Sequence, residues 1–567
     1  MSTVIFDIEC NGFIDTVTEC VCIGYQVDGV PHMAHTPEQI NKALKEITKA
    51  DFVIGHNIMA FDIPVLKKLY PWWRGPLGTV RDTLVMARLV HPDIRDDDFQ
   101  TPDFPSKLVG SHSLKAWGYR LGAHKDDYLE SVGDLSKLKY TDELGTYCAK
   151  DVEVTASLYE LMLSRIGSEK SLDIEHEFAA AIVAQVANGF SFDRARAASL
   201  YAELAAERDA LVKELQDEVP PTEQKMKTKT KYIPFNPASR KQIAQVLRTM
   251  YGWVPQEFTP NGEAKVDESV LGSLDYPIAK KLSHYLLLQK RIGMLAEGDE
   301  AWLKVERGGR IYGSVNHNGA VTGRCTHRGP NMAQVPACGS PYGKECRALF
   351  TASDNMVLVG VDASGLELRC LAHYMAKYDD GAFAKELLEG DIHTANQKAA
   401  GLPTRNDAKS FIYAFLYGAG PAKLGKIVGG GYSEGKALQK RFLSKVPALG
   451  QLKAAVERAA ARGHMLGIDG RKLRIRSAHS ALNTLLQSAG AIAMKLATIL
   501  MHRAAPAYGA RQVAHIHDEV QWEVPADRAE EWAQFCKDAI WQAGEMLNFR
   551  CPLAGDARSG RNWAETH

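Results

Sequence analysis

The run Val357-Leu358-Val359-Gly360-Val361-Asp362 restricts the fold more than any other stretch of this chain. It is continuously apolar and closes on an acid, the pattern of a strand covered on both faces with Asp362 at its mouth. A carboxylate in such a place needs a partner. One is offered by His515-Ile516-His517-Asp518-Glu519-Val520-Gln521-Trp522-Glu523-Val524, where apolar residues alternate on both sides of His517-Asp518, as in a hairpin with acids at its bend. The His-x-His there is poor evidence for zinc, because no cysteine or further histidine lies nearby in sequence. Between the two acids stand Arg405, Lys409, Tyr413 and Tyr417, at strict intervals of four. At about 100° per residue each step advances roughly 40°, so two cations and two phenols share one broad helix face. Pattern alone makes Tyr417 a core residue, whereas Arg405 and Lys409 on the same face argue for an anionic ligand.

From Met1 to about Ser164 short apolar runs alternate with helical patterns. Val4 to Phe6, Cys20 to Tyr25 and Phe52 to Gly55 are expected as strands, and Ile40 to Ile47 and Ile63 to Tyr70 as helices, which makes an α/β domain. In Val4-Ile5-Phe6-Asp7-Ile8-Glu9 the period of two places both carboxylates on one face while Phe6 and Ile8 enter the core. Two acids on one strand face repel unless something cationic lies between them. Asn57-Ile58-Met59-Ala60-Phe61-Asp62 follows the third strand and sets another acid near a strand end. Tyr147 and Asp151, four apart on a helix, can converge on one point. Each piece alone has a structural explanation: Asp62 could cap a helix beginning at Ile63, and Tyr147 could be core. The ordered set is specific where its parts are not.

Phe192 to Val305 is helical and charged, with no strand signal of consequence, and is interrupted by Pro220-Pro221 and by Lys225, Lys227, Lys229 and Lys231. Four lysines without an acid among them form either a solvated tip or a phosphate contact. After Ile311 strands return around a helical insertion from Asp391 to about His464. With 68 Lys+Arg against 68 Asp+Glu the net charge is +0, so only locally organised charge bears on nucleic acid. The 10 cysteines form no C-x-x-C, which fits a reduced cytosolic compartment. No apolar run approaches the roughly 20 residues of a membrane span, and a strand pattern stands where a signal peptide would. Gly418, Gly420 and Gly425 follow a helix and Gly429-Gly430-Gly431 lead into another, so neither patch has the context of a dinucleotide site, and no P-loop occurs.

The set Asp-x-Glu, Asn-x-x-x-Phe-Asp and Tyr-x-x-x-Asp resembles that of the DEDDy 3′-5′ exonucleases, which have a ribonuclease-H-like fold. Asp362-Ala363-Ser364-Gly365-Leu366-Glu367-Leu368-Arg369, the basic helix through Tyr417-Gly418, and His517-Asp518-Glu519 resemble motifs A, B and C of family A DNA polymerases. The likeness extends over Thr322-Gly323-Arg324 with Pro330-Asn331, over Gly390-Asp391-Ile392-His393-Thr394, and over Ala481 to Ala491, in strings most similar to those of phage replicative members of the family. It covers almost the whole chain.

That resemblance implies an α/β multidomain protein: a ribonuclease-H-like 3′-5′ exonuclease domain (1–168), a connector and helical thumb (169–310), a right-hand palm with motif A (311–390), fingers (391–465), and a palm with motif C and a terminal segment (466–567). It implies template-directed addition of dNTPs to a primer 3′-OH, with proofreading. Asp362 and Asp518 would bind two Mg²⁺, with Glu519 as acidic support. Arg405, Lys409 and His393 would hold the triphosphate, and Lys409 would also protonate pyrophosphate. Tyr413 and Tyr417 would line the nucleotide, and Glu367 would gate the ribose 2′-OH. Arg324, Asn483, Gln487 and His517 would contact primer-template DNA. Asp7, Glu9, Asp62 and Asp151 would hold a second pair of divalent cations, with Mn²⁺ as a substitute, and Tyr147 would orient the attacking water. A helicase-primase or single-strand-binding protein is a candidate partner. Thioredoxin is not expected, because the basic connector is too short for the thumb insertion that recruits it. The expected setting is the cytoplasm, that of a bacterial host for a phage protein. A nuclease of RNA maturation leaves Asp362, Asp518 and the basic helix unexplained, and a non-catalytic binding protein predicts loss of a metal carboxylate, whereas all six are present.

Overall fold

In the computed structural model, residues 1–123, 132–225 and 230–567 are described. They form two compact units: one from residues 1–188, 315–327 and 359–559, the other from residues 189–314, 328–358 and 560–567.

The first unit begins with five strands, β1 (Thr3–Cys10), β2 (Cys20–Val27), β3 (Val30–Ala34), β4 (Phe52–Gly55) and β5 (Thr79–Asp82), in the order β3-β2-β1-β4-β5. β1 pairs antiparallel with β2 and parallel with β4. Val4, Phe6 and Ile8 alternate into the core as the period of two requires. They meet Ile40, Leu44 and Ile47 of the helix Pro37–Lys49, whose start is set by a Thr36/Gln39 capping box. The helix Asp142–Arg165, capped by Thr141, packs on the same sheet. A Cβ at Gly24 of β2 would lie 2.9 Å from Cys148 Sγ, so this close approach requires glycine.

The same unit contains a second sheet in which Met356–Ala363 lies between Glu519–Pro525 and Gly555–Gly560, with Arg511–Ile516 at one edge. Leu358 to Val361 are all buried, as a continuous apolar run predicts. The helix Ala481–Tyr508 passes through this core. It is long and apolar enough to cross a membrane by length and composition, contrary to the expectation from uninterrupted apolar runs, but it is mostly buried inside the protein. Its Lys495 explains the difference. This lysine is 1% exposed and gives its charge to Glu175 of the helix Glu169–Asn188, Nζ to Oε1 at 2.5 Å. Arg471 Nη1 reaches the same oxygen at 2.7 Å and its Nη2 reaches Asp469 Oδ2 at 2.7 Å, while His317 Nδ1 lies 3.0 Å from Glu175 Oε2. Burial opposes ionisation of Glu175, but the Lys495 and Arg471 cations outweigh it and hold the carboxyl well below its ordinary range.

The second unit is mainly helical, with the long helices Arg194–Glu218, Arg240–Tyr251 and Pro277–Ile292. Its core includes Phe190, Phe192, Trp302, Phe350 and Trp563, whose rings meet in tilted and edge-on pairs. The expectation of no strand from Phe192 to Val305 was wrong at the second of two pairings. Phe190–Phe192 pairs with Arg310–Ile311 and Phe350–Thr351, and Thr222–Lys225 pairs antiparallel with Thr230–Ile233. The second pairing uses β-branched and aromatic residues, Thr222, Thr230, Tyr232 and Ile233, whose pattern is masked by the lysines between them. Lys227 and Lys229, and the side chain of Lys225, lie outside the described residues.

The buried charges make stability pH-dependent. Burial drives His176 and His317 down to about 4, against an unfolded value near 6.5, so the unfolded chain takes up protons first on acidification. This stabilisation is present above about pH 6.5 and is lost between there and about pH 4. The urea midpoint is therefore expected to fall across that interval, and Glu175→Gln is expected to cost about 3–5 kcal/mol at neutral pH by leaving the buried Lys495 uncompensated and Arg471 with Asp469 alone. A variant as stable as the parent in urea titration would show that the network carries no such energy.

Two candidate carboxylate sites

The first site gathers on β1. Asp7 and Glu9 each offer a carboxylate oxygen within 4.8 Å of the other and of Cys148 Sγ. Asp62 opens the helix Asp62–Leu69 but does not cap it; its Oδ1 accepts the Ile8 N–H at 3.2 Å, which locks it against the middle of the Asp-x-Glu. Burial raises the Asp62 carboxyl to about 7, with the neighbouring Asp82 and Asp151 carboxylates adding to the effect and two backbone N–H groups opposing it. Asp151 is buried on the helix Asp142–Arg165, one turn after a half-buried Tyr147 that packs partly against the cluster of Val21, Leu144 and Cys148. Tyr147 is therefore partly a core residue.

Asp82 was not anticipated. It ends β5, caps the next helix through Leu84 N, and accepts from Asn57 N at 2.8 Å and Met59 N at 3.0 Å. It thus holds the segment leading to Asp62, where Asn57 has φ +63. The available signal was an acid and a threonine between a strand and a helix pattern.

The second site lies at the ends of the central strands. Ile516 pairs with Glu519, leaving His517-Asp518 as a two-residue turn with His517 at φ +59. Ala363 N–H donates to Asp518 O at 3.0 Å, which brings the backbone of Asp518 beside that of Asp362. Asp362 is exposed, Asp518 half-buried, and Glu519 buried, accepting from Gln521 Nε2 at 2.8 Å. A further acid missed in the sequence, Asp556, accepts from Ser364 Oγ at 2.7 Å. Gly365 turns the chain with φ +58 into the helix Leu366–Asp379, so Glu367 stands in its first turn. Tyr417 OH donates to Glu367 Oε1 at 2.5 Å, and Arg324 Nη2 lies 3.8 Å from the same oxygen. Tyr417 is 49% exposed, so the face shared with the cations, not the core, claims it.

On the helix Arg405–Leu416 the residues Ala408, Phe411, Ile412 and Phe415 are buried, while Arg405 and Lys409 are exposed and Tyr413 is half-buried. Burial and then the Glu367 and Asp518 carboxylates raise the Tyr413 phenol, so Tyr413 feels both acids. Burial, Arg405 and Lys409 lower the imidazole of His393, which stands on the helix Ile392–Ala400. Asn483 and Gln487, four apart, are the two positions from Ala481 to Ile499 that are not buried. His517 is exposed and feels both Arg324 and Asp518.

A comparison with protein families matches residues 205–565 to "DNA polymerase family A". The DNA-directed DNA polymerases of Escherichia phage T7 and Enterobacteria phage T3 are each 36% identical to this chain, covering 100% and 99% of it and the same shares of their own lengths. A solved structure of the POL domain of Pol1 from M. smegmatis, in complex with DNA primer-template and dNTP, superposes with a TM-score of 0.78 at 18% identity over 100% of this chain and 96% of that one. The chain belongs to DNA polymerase family A, and it is a DNA-directed DNA polymerase similar to those of phages T7 and T3.

Proposed function

We propose that the chain extends a primer 3′-OH at Asp362 and Asp518 and removes mispaired 3′ nucleotides at Asp7, Glu9, Asp62 and Asp151. The observation that carries the first half is the Ala363 N–H to Asp518 O bond, which brings the strand ends bearing Asp362 and Asp518 side by side, with the Asp518 carboxylate also acting on the Tyr413 phenol. The second half rests on the gathering of Asp7 and Glu9, whose carboxylate oxygens lie within 4.8 Å of one another, beside the buried Asp62 that Ile8 N–H holds at 3.2 Å, an arrangement of acids that a divalent cation would relieve.

Both donor sets consist of hard carboxylate oxygens, which fit Mg²⁺, with Mn²⁺ as a substitute. Bound there in pairs, such ions would lower the pKa of the attacking hydroxyl or water and neutralise the leaving oxygens. The chain's own residues do the rest. Arg405, Lys409 and His393 bind the triphosphate, and Lys409 is placed to protonate the departing pyrophosphate. Glu367, fixed by Tyr417, crowds the sugar 2′ position, while Tyr413 lines the nucleotide. Glu519 supports the acids from the buried side. Asn483, Gln487, Arg324 and His517 present polar groups to the primer-template minor groove. Tyr147 orients the water at the nuclease site.

The working environment in this reading is a host bacterial cytoplasm, with a helicase-primase or a single-strand-binding protein at the fork. The alignment to the T7 enzyme runs over 707 residues against 567 in this chain, so that relative carries segments absent here. In this reading thioredoxin is not a partner, because only four residues separate the paired strands Thr222–Lys225 and Thr230–Ile233, too few for a docking insertion at that point.

Three outcomes test these assignments. Asp362→Ala or Asp518→Ala is expected to abolish primer extension while sparing primer degradation, and Asp7→Ala with Glu9→Ala to do the reverse; loss of both activities in either folded protein would refute two separate sites. Glu367→Ala is expected to shift the ratio of ribonucleotide to deoxynucleotide kcat/KM by about tenfold or more toward ribonucleotides, with a lower overall rate. An unchanged ratio returns Glu367 to a structural role. Added thioredoxin is expected to leave product length in single-encounter extension unchanged, and longer products would contradict the assignment.

A further inference from the structure

We propose that Asp391 is a positioning residue for nucleotide binding, fixing the direction in which Arg405 presents its guanidinium and tying it to the helix that carries His393. The inference deepens the assignment of Arg405, Lys409 and His393 as triphosphate ligands and rests on it.

Each oxygen of Asp391 has two donors. Oδ1 accepts from His393 N at 3.1 Å and Thr394 N at 3.3 Å, capping the helix Ile392–Ala400; Oδ2 accepts from Thr394 Oγ1 at 2.8 Å and Arg405 Nε at 2.8 Å. A carboxylate bound in this way is a fixed pivot, not a mobile competitor for the cation. The hydrogen bonds from Arg405 and Thr394 also hold it well below the ordinary carboxylate range, so it stays ionised.

Its grip on Arg405 is selective. Of the five guanidinium N–H donors it takes the one on Nε. Among the described residues no protein group is bonded to the two Nη atoms of Arg405, which leaves their shared edge for an anion's oxygens. Arg405 is also the first residue of its helix, where the macrodipole disfavours a cation. Helix stability therefore gives no reason for an arginine there, and the Asp391 carboxylate offsets the unfavourable charge. Repulsion matters in the same cluster: Arg405 and Lys409 both lower the His393 imidazole, and Asp391 opposes them. Without Asp391 a long, half-exposed arginine side chain is free to splay away from Lys409. Because the pair is 52% and 46% exposed, it adds little to folding, and substitution at Asp391 should leave a folded protein.

The test is single-nucleotide incorporation and its reversal by inorganic pyrophosphate, measured for Asp391→Ala, Asp391→Ser, Arg405→Ala and the Asp391→Ala/Arg405→Ala double variant, with thermal unfolding as the control for fold. Serine retains a capping oxygen but cannot reach Arg405. Both Asp391 variants are expected to raise KM for dNTP and for pyrophosphate in parallel by about tenfold, with kcat within about twofold of the parent, and the double variant to be no worse than Arg405→Ala. If serine restores the parental KM, Asp391 is only a helix cap. Additive effects in the double variant would also overturn the proposal, since Asp391 would then act independently of Arg405. If Arg405→Ala alone leaves both KM values unchanged, the triphosphate assignment itself fails, and the positioning role with it.

Discussion

The buried charge of Glu175 is the constraint on which the arrangement of the larger unit depends. A carboxylate wholly removed from water is tolerable only while Lys495, Arg471 and His317 stay against it. Those partners come from the helix Ala481–Tyr508, the turn before Lys472–Arg474, and the segment leading to Arg324, so a single group ties three distant pieces of chain to the helix Glu169–Asn188. Apolar contacts alone would allow these elements to slide with gradual loss, whereas a displaced ion pair exposes each charge to the several kcal/mol of an uncompensated ion. The network thereby sets the depth at which Asn483 and Gln487, on the same helix as Lys495, emerge from the core.

The effect extends to the proposed nucleotide site. A Cβ at Gly323, which has φ +81, would lie 2.9 Å from Arg471 Nη1, so the turn from Asn318 to Arg324 rests directly on the network. Hydrogen bonds from Gly319 N and Ala320 N to Arg324 O close that turn. Arg324 then approaches Glu367, which also accepts the Tyr417 hydroxyl. Three links separate a buried acid of the amino-terminal segment from the side chain assigned to sugar selection, and each is a hydrogen bond, an ion pair or a steric contact with little freedom.

What could be foreseen in the sequence follows the range of the interactions. Asp7 and Glu9 share a face because a strand has period two; Asp362 stands at a strand mouth because the apolar run stops there; Asp518 occupies a turn because alternation resumes on both sides of it. All of that is local. Glu175 was invisible because it sits among other acids in Asp173-Ile174-Glu175-His176-Glu177, and its partner Lys495 is 320 residues away. The same lysine made a core helix look like broken apolar sequence. Asp82 and Asp556 escaped notice for a related reason: their roles lie in hydrogen bonds to Asn57, Met59 and Ser364, which no spacing rule connects to them.

A common device places several acids in and around both sites. Asp62 is held by Ile8 N–H, Asp82 by the N–H groups of Asn57, Met59 and Leu84, Asp391 by those of His393 and Thr394, and the backbone of Asp518 by Ala363 N–H. In every case the main chain is one of the partners. Main-chain donors are present whatever side chains surround them, except at proline, and their positions are set by strand and helix geometry. Sites anchored in this way tolerate wide substitution of the packing around them, provided that the pattern of buried and exposed positions is kept. That explains how a fold can be shared at a TM-score of 0.78 with only 18% of residues identical. It also predicts where divergence is not tolerated: at Gly24 and Gly323, where a side chain atom of the neighbouring element already occupies the space that a Cβ would need.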